Sequence, residues 1–311
     1  MTFMNPFLMQ LTGQAENRFY GHVHLLAKYC GIEGSPWING YLQHGWNATD
    51  GFGNYMGSRR LANKFVWSKR CEESIKKNGL ENAYAIGAPW IYLPDVYPLD
   101  TYGNRTGVIA YPAHSSTWSS MGDTSKEYAK HLKDNYGRIT VVIHRYDYAN
   151  RQIRSSYESM GHSVITHGNG TPWETNFNPM FLKDQREILS KFSIAVSNTM
   201  STPILYATQL GLKAEISGPV DYSVTDPDDA SSQIGDGSTD WNNLLNNKQD
   251  LFFDELGVSS KKTPSELKDL FGWTPKPQKS VNFLLNRTRD LVSGSNWYVA
   301  KEVFKSKYQK N

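Results

Sequence analysis

Apolar and polar positions change period several times along the chain. Between residues 105 and 219, short β-rich runs alternate with segments of helical period. Strands are predicted at 107–111 (GVIAY), 139–144 (ITVVIH), 163–166 (SVIT), 193–197 (SIAVS) and 213–217 (KAEIS). Helices are predicted at 124–135, 148–160, 179–191 and 202–210. Gly137, Gly161 and Gly211 stand where helices should stop, because glycine takes the left-handed conformation that closes a helix. Strands alternating with helices in this way predict a parallel, doubly wound sheet.

The first hundred residues are less regular. A helix is predicted at 17–29, strands at 41–43, 65–68 and 84–86, and a helix at 71–78. The proline-rich stretch 89–98 (PWIYLPDVYP) reads as a connection between domains. After Gly218 the pattern changes again. Residues 221–240, rich in Asp, Ser and Gly, read as a loop, and helices resume at 241–256 and 281–291. Thr263-Pro264-Ser265-Glu266 is a capping box with proline at the first helical position. The expected organisation is a short α/β domain over 1–98, a doubly wound, Rossmann-like domain over 99–220, and an acidic loop with helices over 221–311.

Composition narrows the class. The chain has 311 residues, of which 39% are apolar, 13% aromatic and 20% charged. That excludes collagen-like, coiled-coil and wholly disordered chains. No run approaches the roughly 18 apolar residues of a membrane span. The first residues lack a basic segment ahead of their short apolar stretch, so no signal peptide is expected. Cys30 and Cys71 are the only cysteines. Two thiols make neither a disulfide framework nor a cysteine-based zinc site, and a reducing cytoplasm is the expected home. A net charge of +3 is too small to argue for nucleic acid.

Four histidines follow predicted strands: His44 (YLQHG), His114 (AYPAHSS), His144 (VVIHRYD) and His167 (VITHGN). Ligands of a doubly wound sheet bind outside the carboxyl ends of its strands. These side chains are therefore expected around a common crevice, although capping or loop packing would place each one equally. The turn Ser197-Asn198-Thr199-Met200-Ser201-Thr202 joins a strand to a helix. Its hydroxyls, together with the N–H groups of a helix N-terminus, suit a phosphate. Plain N-capping by Ser201 is the alternative. Asp226-Pro227-Asp228 matches a D-x-D metal pattern but reads better as a solvated acidic loop. No P-loop, G-x-G-x-x-G or G-x-S-x-G occurs.

The order LQHGW (42–46), FVWSKR (65–70), AIGAPWIYL (85–93), YPAHSS (111–116) and SNTMSTPILYATQLG (197–211) resembles a family. These are the GT-B glycosyltransferase-like proteins of capsule, lipopolysaccharide and teichoic acid synthesis, with CDP-glycerol glycerophosphotransferases, polysialyltransferases and Kdo transferases among them. The resemblance spans roughly 40–218. It implies an α/β, GT-B-like fold of two Rossmann-type halves with a C-terminal helical segment. It implies a transferase moving a sugar from a nucleotide-sugar donor to a glycan or lipid-linked acceptor, with no cofactor beyond that co-substrate and no metal. His44 matches the Q-H-G histidine on the acceptor side, with Asp50, His144 and His167 as further catalytic candidates. Tyr111, His114, Ser115, Ser116, Gly168, Asn169, Ser197, Asn198, Thr199, Ser201 and Thr202 match donor-binding positions. The glycerophosphotransferase pattern HGxxxK is absent, since Thr49 and Asp50 follow His44-Gly45, which favours a sugar transferase. A sugar-nucleotide epimerase or hydrolase, or a non-catalytic binding protein, would use the same crevice. The basic end, KEVFKSKYQKN, offers either a peripheral contact with an anionic membrane at its cytoplasmic face or a solvated helix end.

Overall fold

The structure, a computed structural model, describes residues 14–52, 62–99, 103–113, 119–121, 124–172, 176–219, 222–224 and 254–274. His114, Ser115, Ser116, Asp226, Asp228, the helix expected at 281–291, most of that at 241–256 and the basic end lie outside them.

Five parallel strands form the larger sheet: β4 (Val108–Ala110), β6 (Thr140–Val142), β7 (Ser163–Ile165), β8 (Ile194–Ser197) and β9 (Lys213–Ile216). Their spatial order is β7-β6-β4-β8-β9. Numbered along the chain this is 3-2-1-4-5, so the order reverses between β4 and β8, where such sheets open a crevice. The helices α4 (Ser125–Tyr136), α6 (Arg151–Glu158), α7 (Phe181–Leu189) and α8 (Thr202–Gln209) join the strands. Gly137, Gly161 and Gly211 all have positive φ where the helices end. The helix expected at 148–160 is broken. A short α5 (Arg145–Ala149) precedes α6, and the Asn150 side chain accepts from the N–H groups of Gln152 and Ile153, starting a new helix.

The first half carries three parallel strands: β1 (Tyr41–Leu42), β2 (Lys64–Val66) and β3 (Ala83–Ala85), in the order β1-β2-β3. Between β2 and β3 runs α2 (Lys69–Lys77), N-capped by Ser68. The helix expected at 17–29 is two pieces. A kinked 3-10 segment, Glu16–Gly21, leads into α1 (His22–Tyr29). Tyr20 sits at φ 54°, an unusual place for a bulky residue. Its N–H donates to the Gly170 carbonyl at 2.8 Å, so the kink is held by the other half. At Gly21, a Cβ would lie 2.0 Å from the Pro179 carbonyl oxygen.

The connection 89–98 is helical through most of its length, as Pro89–Tyr92 and α3 (Leu93–Val96). Trp90, Ile91, Tyr92 and Leu93 are buried, because this aromatic run fills the space between the halves. Trp90 stacks on Tyr206 of α8 with centroids 3.9 Å apart and planes 2° apart. One core cluster accordingly runs from Leu26, Phe65 and Trp67 through Ile109 to Ile204 and Leu205. A second cluster, on the α4 and α6 side of the sheet, holds Tyr128, Leu132, Val141 and Tyr157.

Residues 221–240 were expected as loop throughout. Instead, β10 (Tyr222–Val224) pairs antiparallel with β5 (Ser119–Met121). Each run is only three residues long, too short for its polarity pattern to mark a strand, so the pairing reveals them. The capping box is present as read. Thr263 and Glu266 exchange bonds at the start of α9 (Pro264–Phe271), whose Leu267 and Phe271 join the first-half core.

Candidate functional site

His44 occupies the turn after β1. Gln43 sets that turn from inside the fold. Its N–H donates to the Phe65 carbonyl, its Oε1 accepts from the Trp67 N–H at 2.9 Å, and its Nε2 donates to the Gly45 carbonyl at 2.9 Å. The His44 ring is exposed and stacks on Phe19, centroids 5.0 Å apart. The next N–H, that of Trp46, donates to Thr202 Oγ1 at 2.9 Å. A histidine turn of the first half is thereby moored to the first residue of α8 in the second.

The loop beyond is clamped by an ion pair. Arg70 Nε and Nη2 meet the two carboxylate oxygens of Glu255 at 2.5 and 2.7 Å. Trp46 Nε1 donates to Glu255 Oε2 at 2.7 Å. The remaining Arg70 N–H groups reach the carbonyls of Asn47, Ala48 and Thr49. Asp50 lies on this side, near Arg70, and accepts from the Phe52 N–H at 2.8 Å. Arg70→Ala would leave a nearly buried carboxylate with Trp46 Nε1 alone among its present donors, and three carbonyls without the guanidinium. We expect it to cost about 2–3 kcal/mol in denaturant unfolding, more than an exposed pair is worth. A loss under about 0.5 kcal/mol would show that the clamp contributes nothing.

At the switch point, Tyr111 follows β4 and Ser197 ends β8. Ser197 Oγ donates to the Tyr111 carbonyl at 2.6 Å and accepts from the Thr199 N–H at 3.3 Å. Asn198 Oδ1 accepts from the Ala113 N–H at 2.8 Å, and its Nδ2 donates to the Pro219 carbonyl at 2.9 Å. These two polar side chains stitch the strand ends together. Thr199 is half-buried within the same turn. Ser201 stands at the N-cap of α8 with an extended backbone but makes no capping bond, and its buried Oγ has no partner among the described residues. The capping alternative read from the sequence is therefore not the geometry present.

His167 lies beyond β7, half-buried. Its Nε2 is 3.0 Å from the Tyr111 hydroxyl, and its ring lies edge-on to Phe181 at 5.7 Å. Burial lowers its pKa to about 4. Gly168 has φ 81°, and Asn169 Oδ1 accepts from the Thr171 N–H at 2.9 Å. His144, half-buried, stands at the N-cap of α5 with its ring 5.0 Å from that of Tyr146.

Three residues not singled out in the sequence belong to this region. Tyr20 packs on Phe181, centroids 4.9 Å apart. Burial raises the pKa of its hydroxyl, and the neighbouring charge of Arg145 lowers it. Arg145 directly follows His144, with its guanidinium carbon 4.0 Å from the Tyr146 ring centroid. The third is His22, 0% exposed, with neither ring nitrogen hydrogen-bonded among the described residues. Burial, with His44 as a further cause, lowers its pKa to about 3. Arg145 was findable as the residue after a strand-end histidine. Tyr20 and His22 sit within a run of ordinary helical appearance and carry no such signal.

Among the described residues, no group of three or more His, Cys, Asp or Glu is arranged to hold a metal ion, and no helix is long and apolar enough to cross a membrane. No family model matches the chain, and no curated protein sequence matches it. Among solved structures, it is similar to MnaA of S. aureus in a co-structure with UDP, at 12% identity. That match covers 65% of this chain and 56% of MnaA, with a TM-score of 0.34. It is also similar to a mutant S. aureus TarM in complex with fondaparinux, alpha-GlcNAc-glycerol and UDP, at 11% identity. There 72% of this chain and 43% of TarM are covered, with a TM-score of 0.28. The chain thus spans about half the length of these two proteins. The chain is an α/β protein with a parallel five-stranded sheet and a smaller parallel three-stranded sheet, whose histidine turn is bonded to the start of α8 through Trp46 and Thr202.

Proposed function

We propose that the chain is a GT-B-type glycosyltransferase that moves a sugar from a nucleotide-sugar donor to a glycan or lipid-linked acceptor in surface polysaccharide synthesis. One observation carries the reading. The exposed His44 lies on a turn moored to the N-terminus of α8, where Ser201 Oγ has no partner among the described residues. In this reading a base and an anion-binding helix end approach the same ligand from the two halves. In this reading the donor phosphates meet the α8 N-terminus and the Ser201 hydroxyl. His44 takes the proton of the acceptor hydroxyl as its oxygen bonds to the anomeric carbon. The bond from that carbon to the donor phosphate breaks, and the leaving charge falls on the helix end, Arg145 and His144. No metal is needed for the charge so placed. The work is cytoplasmic, at the inner face of a membrane where the acceptor is lipid-linked.

The test is a thermal-shift screen of CMP-, UDP-, GDP-, dTDP- and CDP-linked sugars, followed by calorimetry on Ser201→Ala with the donor that scores. Loss of one hydroxyl bond to phosphate should weaken binding roughly 5–10-fold. Stability should stay within about 0.5 kcal/mol, since that hydroxyl caps nothing. Unchanged affinity would remove the α8 site, and turnover lost on EDTA treatment would remove the metal-free assignment. Donor consumed without any acceptor would instead mark an epimerase or hydrolase, and binding without turnover a non-catalytic binding protein.

A further inference from the structure

The sequence places Thr202 among the donor-binding positions. In the structure its hydroxyl oxygen is engaged between the two halves, accepting from the Trp46 N–H at 2.9 Å. The histidine turn lies close along this side chain, since a Cβ built on Gly45 would stand 3.6 Å from the same oxygen, at ordinary van der Waals distance. The start of α8 has few N–H groups to offer. Pro203 has none, and those of Ile204 and Leu205 go to the Ser201 carbonyl at 3.1 and 3.3 Å. The Thr202 N–H belongs to the first turn, which has no acceptor within its own helix. In the reading above, a phosphate at this helix end meets the Thr202 main chain, whereas the Thr202 hydroxyl oxygen serves the histidine turn.

Trp46 is pinned at its other end as well. Its Nε1 donates to Glu255 Oε2 at 2.7 Å, and the adjacent Leu256 carbonyl accepts from the Ala88 N–H at 2.8 Å. Gly257 follows with φ 66°, and a Cβ there would lie 1.7 Å from the Trp67 carbonyl oxygen. The Glu255 segment is thus seated tightly against the first half. Trp46 joins that fixed point to the start of α8, with His44 two residues before it.

We propose that Thr202 is a positioning residue, whose hydroxyl oxygen holds the His44 turn at the start of α8 so that the imidazole and the donor site keep one relative geometry. The part in turnover rests on the function proposed above; the tether does not. Thr202 acts through Trp46 and touches no reacting atom with its side chain. One neutral hydrogen bond contributes little to folding, but moving a catalytic group by about 1 Å can cost about 10²-fold in rate. Loss of this oxygen therefore weighs more on turnover than on stability.

Thr202→Val keeps the branched shape and removes the oxygen, and Thr202→Ser keeps the oxygen. Hydrogen exchange of the Trp46 amide, read in 15N–1H spectra of the full chain, tests the tether without any ligand. Exchange should be roughly 5–10-fold faster in Thr202→Val, as for the loss of one hydrogen bond, and near the wild-type rate in Thr202→Ser. Equal exchange in the wild type and Thr202→Val would overturn the tether. With the donor that scores in the thermal-shift screen, Thr202→Val should lower kcat about 10–100-fold and leave donor affinity within about twofold, and Thr202→Ser should restore kcat. Donor affinity weakened with kcat unchanged would make the hydroxyl a donor ligand and overturn the positioning role. A lowered melting temperature with binding and turnover falling together would mark a merely structural bond. A chain that turns over none of the screened donors loses the transferase reading and the part of Thr202 in turnover, and the Trp46 amide then decides the tether alone.

Discussion

Replacement of His44 by alanine is expected to lower kcat by roughly 10²–10⁴-fold, the range for a positioned general base, while donor affinity stays within about twofold. Three features of the structure support this separation. The ring is exposed, so it is available to an acceptor hydroxyl. The turn that carries it is held by Gln43, Trp67 and the Trp46 N–H on Thr202, all of which survive loss of the imidazole. The proposed phosphate contacts belong to α8 and Ser201, not to His44. His44→Gln should be equally impaired, since an amide keeps the shape but cannot accept the proton. Donor affinity and kcat are to be measured on both variants. A merely structural His44 would show a lowered melting temperature with binding and turnover falling together. If both variants turn over near the wild-type rate, the base lies elsewhere, and Asp50 is the next candidate. That carboxylate would first have to turn from the Phe52 N–H and the Arg70 side of the loop.

Stability should fall steeply below neutral pH, through two buried histidines. His22 and His167 have pKa values lowered from 6.5 to about 3 and about 4, in each case with burial as the first cause. In the unfolded chain both protonate near 6.5. The unfolded state therefore binds more protons over the window from about 6.5 down to the folded values, and stability is lost as pH falls through it. Each histidine should cost about 2 kcal/mol between pH 7 and 5, or about 4 kcal/mol together. His22→Phe keeps an aromatic ring in the same space beside Tyr20 and Trp67 and removes the titration. Chemical denaturation at pH 7 and pH 5 should then show about 2 kcal/mol less acid destabilisation in the variant. An identical pH dependence would mean that His22 becomes solvated and charged within the folded protein.

Much of the larger sheet was legible because its signals are local. All five of its strands appear within a few residues of their expected bounds, and the closing glycines at 137, 161 and 211 have the conformation that glycine is needed for. The Thr263–Glu266 box, likewise, is a bond between residues three apart. The site was legible only in part. The strand-end rule led to His44, Tyr111 and His167 and to the turn before α8. It left unforeseen that Ser197 and Asn198 would use their polar atoms to join strand ends while Ser201 Oγ finds no partner among the described residues.

Periodicity reports which side of a helix or strand seeks the core, and so it names elements without ordering them. The order β7-β6-β4-β8-β9 and the pairing of β5 with β10 depend on how separate elements share buried surface. The same holds for the bonds that join distant parts of the chain. Trp46 reaches Thr202 across 156 positions, and Arg70 reaches Glu255 across 185. The positive φ of Tyr20 is not signalled by the residues around it, since the Gly170 carbonyl and the packing against Phe181 hold it from elsewhere in the chain. Composition and spacing thus established an α/β chain with hydroxyl- and histidine-bearing strand ends. Which of those groups stay free to act was decided by tertiary packing, because a polar side chain's availability depends on whatever distant partner the fold brings within hydrogen-bond reach.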